Sequence, residues 1–190
     1  MAFSGFSVLK NVKHSSIMKF DTSIVQHSFQ SPLGRIIMAA TDKGLAGLWF
    51  EGQRHLPEEL MAGSSWPDDA SHPVLKKTTR QLGEYFDGQR TRFDVPLDLS
   101  GGTAFQRAVW RVLLAIPPGG TCSYGDVGER IGNPAAVRAV GAAVGRNPVS
   151  IIVPCHRVLG KGGTLTGYAG GLDRKTALLK LEGALQETVL

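Results

Sequence analysis

Between Pro117 and Arg157 the chain is punctuated so closely that few architectures can accept it. Pro117-Pro118-Gly119-Gly120 stops whatever precedes it. Ser123-Tyr124-Gly125-Asp126 has the spacing of a capping box, in which two side chains satisfy free backbone N–H groups at a helix start, and it predicts a short helix to Ile131. Gly132 breaks that helix. Asn133 as N-cap and Pro134 at the first helical position open a second one, running to Gly145. Two short helices joined by so tight a turn form a helix-turn-helix. Beyond Asn147-Pro148, the apolar run Val149-Ser150-Ile151-Ile152-Val153 predicts a short buried strand that delivers Pro154-Cys155-His156-Arg157 to the edge of a core.

The second helix is nearly bald. Ala135, Ala136, Ala139, Gly141, Ala142, Ala143 and Gly145 leave Arg138 as its conspicuous long side chain. Small residues allow close approach to a partner, and a lone arginine can enter a groove or fill the space of a displaced base. The same composition also serves tight core packing with Arg138 in solvent. Cys155 has a similar pair of readings. A cysteine beside a histidine becomes a strong nucleophile where a base favours the thiolate, and His156 is the only histidine after His72. Most free cysteines are nonetheless small buried hydrophobes.

Charge separates the two halves. Residues 1–99 hold 11 Lys and Arg against 11 Asp and Glu, whereas residues 100–190 hold 10 against 5, so the formal +5 lies wholly in the second half. A basic half that carries the cysteine points to a polyanionic partner, although a solvated basic face gives the same balance. Hydrophobic content of 42% describes an ordinary globular protein, and no apolar run reaches the length of a membrane span. Two cysteines make neither a disulfide framework nor a zinc cluster, which favours a reducing, cytoplasmic compartment. Residues 1–17 are too weakly patterned for a secretory signal and read as a disordered extension.

The first half reads as an antiparallel meander and a helix. Ser23–Phe29, Gly34–Ala40 and Gly44–Phe50 are β-type runs separated by turn residues. A loop covers Leu56–Ser71, and Pro73–Asp87 is a helix with Leu75, Leu82, Tyr85 and Phe86 on one face. Asp94–Gly102 reads as an interdomain linker, after which Thr103 caps a helix to Ile116 with Phe105, Val109, Val112, Leu113 and Ile116 as its apolar stripe. The whole is an α+β chain of two domains, residues 18–95 and 101–190.

Taken together, Ser123-Tyr124, Gly132-Asn133-Pro134, Arg138-Ala139-Val140-Gly141, Asn147-Pro148, Ile152 through Val158, Gly167-Tyr168-Ala169-Gly170-Gly171, Leu178-Leu179 and Glu182-Gly183 resemble the methylated-DNA–protein-cysteine methyltransferases, the O6-alkylguanine repair proteins. The resemblance is dense over residues 101–190 and loose before them. It implies a ribonuclease-H-like N-terminal domain and a winged-helix-like C-terminal domain with a buried reactive cysteine. By the same resemblance, Cys155 is the alkyl acceptor, and His156 is the base that draws its proton through a water. Glu182 orients the histidine, and Asn147 fixes the turn before the cysteine. Tyr124 helps rotate the nucleotide and contacts the flipped base. Val158, Tyr168, Ala169, Ser150 and Val144 belong to the guanine pocket. Arg138 is the finger that replaces the base, with Ala136, Arg146 and Ser123 on the DNA face.

The implied substrate is double-stranded DNA carrying O6-alkylguanine or O4-alkylthymine, bound in the minor groove by a monomer with little sequence preference. No cofactor and no metal are implied, because the alkyl group comes from the DNA. A lesion-binding relative without transfer activity would share the pocket but lack the cysteine, and Cys155 argues against it. Some positions depart from the family pattern. Ala169 stands where many relatives have serine, Gly145-Arg146 reverses the usual order, Thr176-Ala177 replaces a charged–aromatic pair, and the small Ser150 and Val144 imply room for larger alkyl groups.

Overall fold

The structure is a computed structural model that describes residues 20–61 and 66–185. The extension expected over residues 1–17 lies outside them. Strands β1 (Val25–Ser31), β2 (Gly34–Thr41) and β3 (Gly44–Phe50) form the meander, all antiparallel in the order β1-β2-β3. The first turn is closed by Ser31, whose hydroxyl donates to Gly34 O at 2.6 Å and accepts from Leu33 N. Helix α1 (Glu58–Met61) is a single turn within the expected loop, and α2 (Pro73–Phe86) packs Leu75, Leu82 and Tyr85 against the sheet.

β3 is buried along its whole length. Its side chains serve two cores: Leu45, Leu48 and Phe50 join the main one, while Trp49 packs with Ile24 and Ala39 in a second. A register shift between Ala39 and Ala40 breaks the strict alternation, so that Leu45 and Leu48 share the main core. Its edge away from β2 is occupied as well. Leu45 N donates to Pro96 O at 2.8 Å and Asp98 N to Leu45 O at 2.9 Å. Leu48 N donates to Pro148 O at 2.8 Å and Ser150 N to Leu48 O at 2.9 Å. The expected linker is therefore no free tether. It is strapped to the sheet, with Asp98 buried and accepting from Thr41 Oγ1 at 2.7 Å. The edge of β3 also seats the turn that precedes Cys155.

The second half is helical. α3 (Ala104–Leu114) begins with a capping box between Thr103 and Gln106 and buries Val109, Trp110 and Leu113. Trp110, absent from the predicted stripe, is fully buried and donates from Nε1 to Ala143 O at 2.9 Å. β4 (Cys122–Ser123) leads into α4 (Tyr124–Arg130), which has the predicted capping box of Ser123 and Asp126. The next helix starts later than predicted. Pro134–Ala136 is a 3-10 turn, the Asn133 side chain caps nothing, and α5 spans Val137–Gly145. After the Gly132 turn, Asn133 O accepts from Ala136 N, an i to i+3 bond that sets the tighter geometry. β5 (Val158–Leu159) pairs in parallel with β4, and α6 (Leu172–Leu181) closes the described chain.

The strand predicted over Val149–Val153 is not formed. Only Val149 makes a bridge, to Leu48; the residues after it turn, and Ile151 has φ +70°. Asn147 is the cause. Its Oδ1 accepts from Val149 N at 3.0 Å and its Nδ2 donates to Val153 O at 2.7 Å, so one side chain takes backbone partners that a strand would have used.

Candidate active site

Cys155 opens a 3-10 turn with His156 and Arg157, and all three side chains are buried, Cys155 at 4% exposure and His156 at 0%. The Asn147 amide that shapes the turn also donates to Cys155 Sγ at 3.0 Å. Burial pushes the thiol up to about 11, against the partial offset of that hydrogen bond and of the nearby Lys175 ammonium.

On the far side of the motif, His156 Nε2 lies 2.9 Å from Glu182 Oε1. Glu182 is the C-cap of α6, and helix closure after Leu181 brings it back beside the cysteine turn. Its carboxyl is raised by burial, but hydrogen bonds from His156 and Arg157 and the positive charge of Arg157 prevail and hold it at about 2. A carboxylate can only accept, so Nε2 carries the hydrogen, and Nδ1 is the basic nitrogen of the ring. Nδ1 is buried and bonded to no protein group among the described residues. Burial lowers the His156 pKa more than Glu182 raises it, which keeps the imidazole neutral and able to take a proton.

Three further residues complete the site, and sequence reasoning missed the part each one plays. Arg157 donates from Nε to Glu182 Oε2 at 2.7 Å, from Nη2 to Oε1 at 2.9 Å, and from Nη1 to Ile116 O. Tyr85, on α2 of the other domain, donates to Glu182 Oε1 at 2.8 Å. Lys175 is fully buried and donates from Nζ to Val158 O and Thr166 O, both at 2.6 Å, and to Gly167 O at 3.3 Å. Burial lowers its pKa to about 8. A signal for Lys175 was present: it sits three and four residues before Leu178 and Leu179, on the buried face of α6. None marked Tyr85 as more than core.

Of the expected pocket residues, Val144, Val158 and Tyr168 share a hydrophobic cluster with Cys155. Val158, Tyr168, Ser150 and Val144 are buried, and Ala169 is half-buried in the loop between β5 and α6. Tyr124, first residue of α4, is half-buried and donates to Gly167 O at 3.3 Å. Burial and the neighbouring Cys155 raise its pKa, so it remains a protonated donor. Ser123 is engaged as the cap of α4, accepting from Asp126 N. The bald helix has one packed face and one exposed face. Val140, Ala143 and Val144 are buried, whereas Val137, Arg138, Ala139 and Ala142 face solvent. Ala136 and Arg146 are half-buried at its two ends.

Fold and site define a two-domain helix-turn-helix protein with a buried thiol in the same turn as a histidine–carboxylate pair. Two family models match, one described as the 6-O-methylguanine DNA methyltransferase DNA binding domain over residues 104–184, the other as its ribonuclease-like domain over residues 24–99. The methylated-DNA–protein-cysteine methyltransferase of Mycolicibacterium paratuberculosis is 46% identical over 159 residues, covering 84% of this chain and 92% of that protein. The protein of the same name from Methanosarcina acetivorans is 46% identical over 157 residues, covering 82% and 96%. The Mycobacterium tuberculosis OGT structure in complex with DNA superposes with a TM-score of 0.73 at 44% identity, covering 85% of this chain and 92% of that one. The chain belongs to the 6-O-methylguanine DNA methyltransferase family. Among the described residues no helix is long and apolar enough to cross a membrane.

Proposed function

We propose that this chain repairs DNA by turning O6-alkylguanine, or O4-alkylthymine, out of the duplex and moving the alkyl group irreversibly onto Cys155. The observation that carries this reading is the buried Cys155 Sγ held at 3.0 Å by Asn147, in the same turn as a His156 that is hydrogen-bonded to Glu182. Displacement at the sp³ alkyl carbon suits a soft thiolate. His156 Nδ1 takes the thiol proton through a water, and Glu182 stabilises the imidazolium. Sγ bonds to the alkyl carbon as the carbon–O6 bond breaks, and the released guanine regains a ring proton from Tyr124, which is reprotonated through water as the His156 imidazolium gives up the proton it took from the thiol. The Lys175 charge favours the thiolate that burial alone disfavours.

The lesion enters the pocket of Val158, Tyr168, Ala169, Ser150 and Val144 because its carbon is inaccessible inside the stack. Arg138, exposed on the bald face of α5, fills the space left behind, while Ala136, Arg146 and Ser123 lie along the minor groove. Residues 18–95 and 101–190 act as its two domains, and the protein works as a cytoplasmic monomer. A thioether is not hydrolysed, so each molecule acts once. Intact-protein mass after incubation with methylated duplex tests the reading. A permanent gain of one CH2 on Cys155 is expected. An unchanged mass with tight lesion binding means a recognition protein without transfer, and turnover of an ester means a cysteine hydrolase.

A further inference from the structure

The loop that carries Tyr168 and Ala169 is held by the N-terminal domain, carbonyl by carbonyl. Tyr168 O accepts from Arg54 Nη2 at 3.2 Å, and Ala169 O accepts from the Arg54 backbone N–H at 3.0 Å. Gly170 O accepts from Arg174 Nη1 at 3.1 Å. Arg174 in turn donates from Nε to Leu33 O at 2.9 Å and lies 4.7 Å over the Phe50 ring, so its anchor is the meander. Gly170 sits so close to Tyr168 and Phe50 that a Cβ there would come within 2.7 Å of the Tyr168 ring.

Arg54 is itself delivered by a rigid device. β3 ends in a turn through Gly52, at φ +75°, and the buried Gln53 closes it by accepting from Phe50 N through Oε1 at 2.9 Å while its own N–H donates to Phe50 O. Both Arg54 donors then meet successive carbonyls of one loop. With those carbonyls occupied, the Ala169 N–H donates to no protein acceptor among the described residues. A half-exposed loop of glycines and small residues would otherwise sample many conformations.

We propose that Arg54 is a positioning residue for the lesion pocket: through Tyr168 and Ala169 it fixes the pocket loop in the geometry that accepts a small alkylated base. This rests on the reading of Tyr168 and Ala169 as pocket wall. Loosening the loop lowers the fraction of molecules with a competent pocket, which slows reaction with a lesion in duplex and with a free base alike. Bulky groups, which need the loop to give, suffer less than methyl.

The test compares wild type, Arg54→Ala and Arg54→Lys in single-turnover transfer from O6-methylguanine duplex, from free O6-methylguanine and from free O6-benzylguanine. Melting midpoint and affinity for unmodified duplex are measured alongside. For Arg54→Ala, a loss of at least about threefold is expected on both methyl substrates, as for one charge-assisted hydrogen bond at a partly exposed site, with a smaller loss on the benzyl base. Melting and unmodified-duplex affinity should be unchanged, and Arg54→Lys should recover most of the rate. Equal rates for wild type and Arg54→Ala overturn the proposal. So does a loss confined to duplex that comes with weaker, less salt-dependent DNA binding, which makes Arg54 a phosphate contact. A wild type that gains no alkyl group overturns the transfer function itself, a result distinct from either.

Discussion

Tyr85 and Glu182 lie 97 residues apart in sequence and in different domains, yet the Tyr85 hydroxyl donates to Glu182 Oε1 at 2.8 Å. The carboxylate that orients His156 thus depends on a phenol from the helix behind the meander. Together with Arg157 and His156, Tyr85 gives one buried carboxylate four donor contacts. This is how a group at 2% side-chain exposure stays ionised.

Acid stability should report that arrangement. A carboxyl held at about 2 against an ordinary 4.5 stabilises the fold above the ordinary value, and the contribution is lost as pH falls from there through 2. Glu182→Gln should flatten that part of the acid limb in denaturant titrations and slow alkyl transfer roughly a hundredfold or more. Tyr85→Phe should cost about 1–2 kcal/mol of stability and slow transfer less, because His156 and Arg157 still hold the carboxylate. A Glu182→Gln protein with the wild-type acid limb would place the responsible group elsewhere.

Asn147 variants separate fold from thiol chemistry. Asn147→Ala leaves Val149 N–H and Val153 O buried without their partner and should cost about 3 kcal/mol or more. Asn147→Asp keeps the acceptor for Val149 N but loses the donor to Sγ and adds a negative charge beside it. Its thiol should titrate above the value of about 11, with the rate–pH profile displaced upward. An unmoved profile would show that the amide tunes only the turn.

Both cysteines are buried, but among the described residues only Cys155 has the Asn147 amide on its sulfur and the His156–Glu182 pair in its turn. Cys155→Ser should abolish transfer while lesion binding, measured by fluorescence anisotropy, survives. Cys122→Ser should transfer at close to the normal rate. Label recovered on Cys122 after digestion of the wild type would refute the assignment.

Arg138→Ala should slow repair of duplex DNA far more than reaction with free alkylguanine, since a free base needs no extrusion. Binding to unmodified duplex should fall steeply with salt and depend little on sequence. Equal losses on both substrates would mean that Arg138 supports the pocket or the fold.

Alkylation should destabilise the protein. Sγ is at hydrogen-bond distance from Asn147 in a close-packed site, so added bulk presses on the amide that shapes the turn. Overpacking of this kind costs roughly 1–3 kcal/mol. The methylated form should melt lower and be cleaved faster by protease, and a benzyl adduct lower still. A midpoint unchanged or raised on methylation would show that the small Ser150 and Val144 leave room for the group.

Local signals in the sequence translated well where the interaction is local. The meander, the Thr103 cap and the capping box at Ser123 all involve residues within a few positions of each other. The Val149–Val153 strand failed because a single side chain, Asn147, supplied the hydrogen bonds that hydrophobic pattern alone assigns to a neighbouring strand. The late start of α5 reflects an Asn133 whose side chain leaves the helix uncapped. The His156–Glu182 pairing followed from family resemblance, not from spacing. Tyr85 and Arg54 were illegible for one reason: each acts on a partner brought near only by the packing of one domain on the other. The spacing that put Lys175 on the buried face of α6 did not say which carbonyls it would meet.

The burial of Cys155 bears finally on chemical lifetime. A reagent that can fire only once is wasted by any chance encounter with an oxidant or a stray electrophile. An exposed low-pKa thiolate would meet them constantly. At 4% exposure, and kept largely as thiol by a pKa pushed up to about 11, the sulfur is poor prey for both until a substrate is seated against it. The same enclosure that slows its intrinsic chemistry preserves each molecule for the lesion it was made to remove.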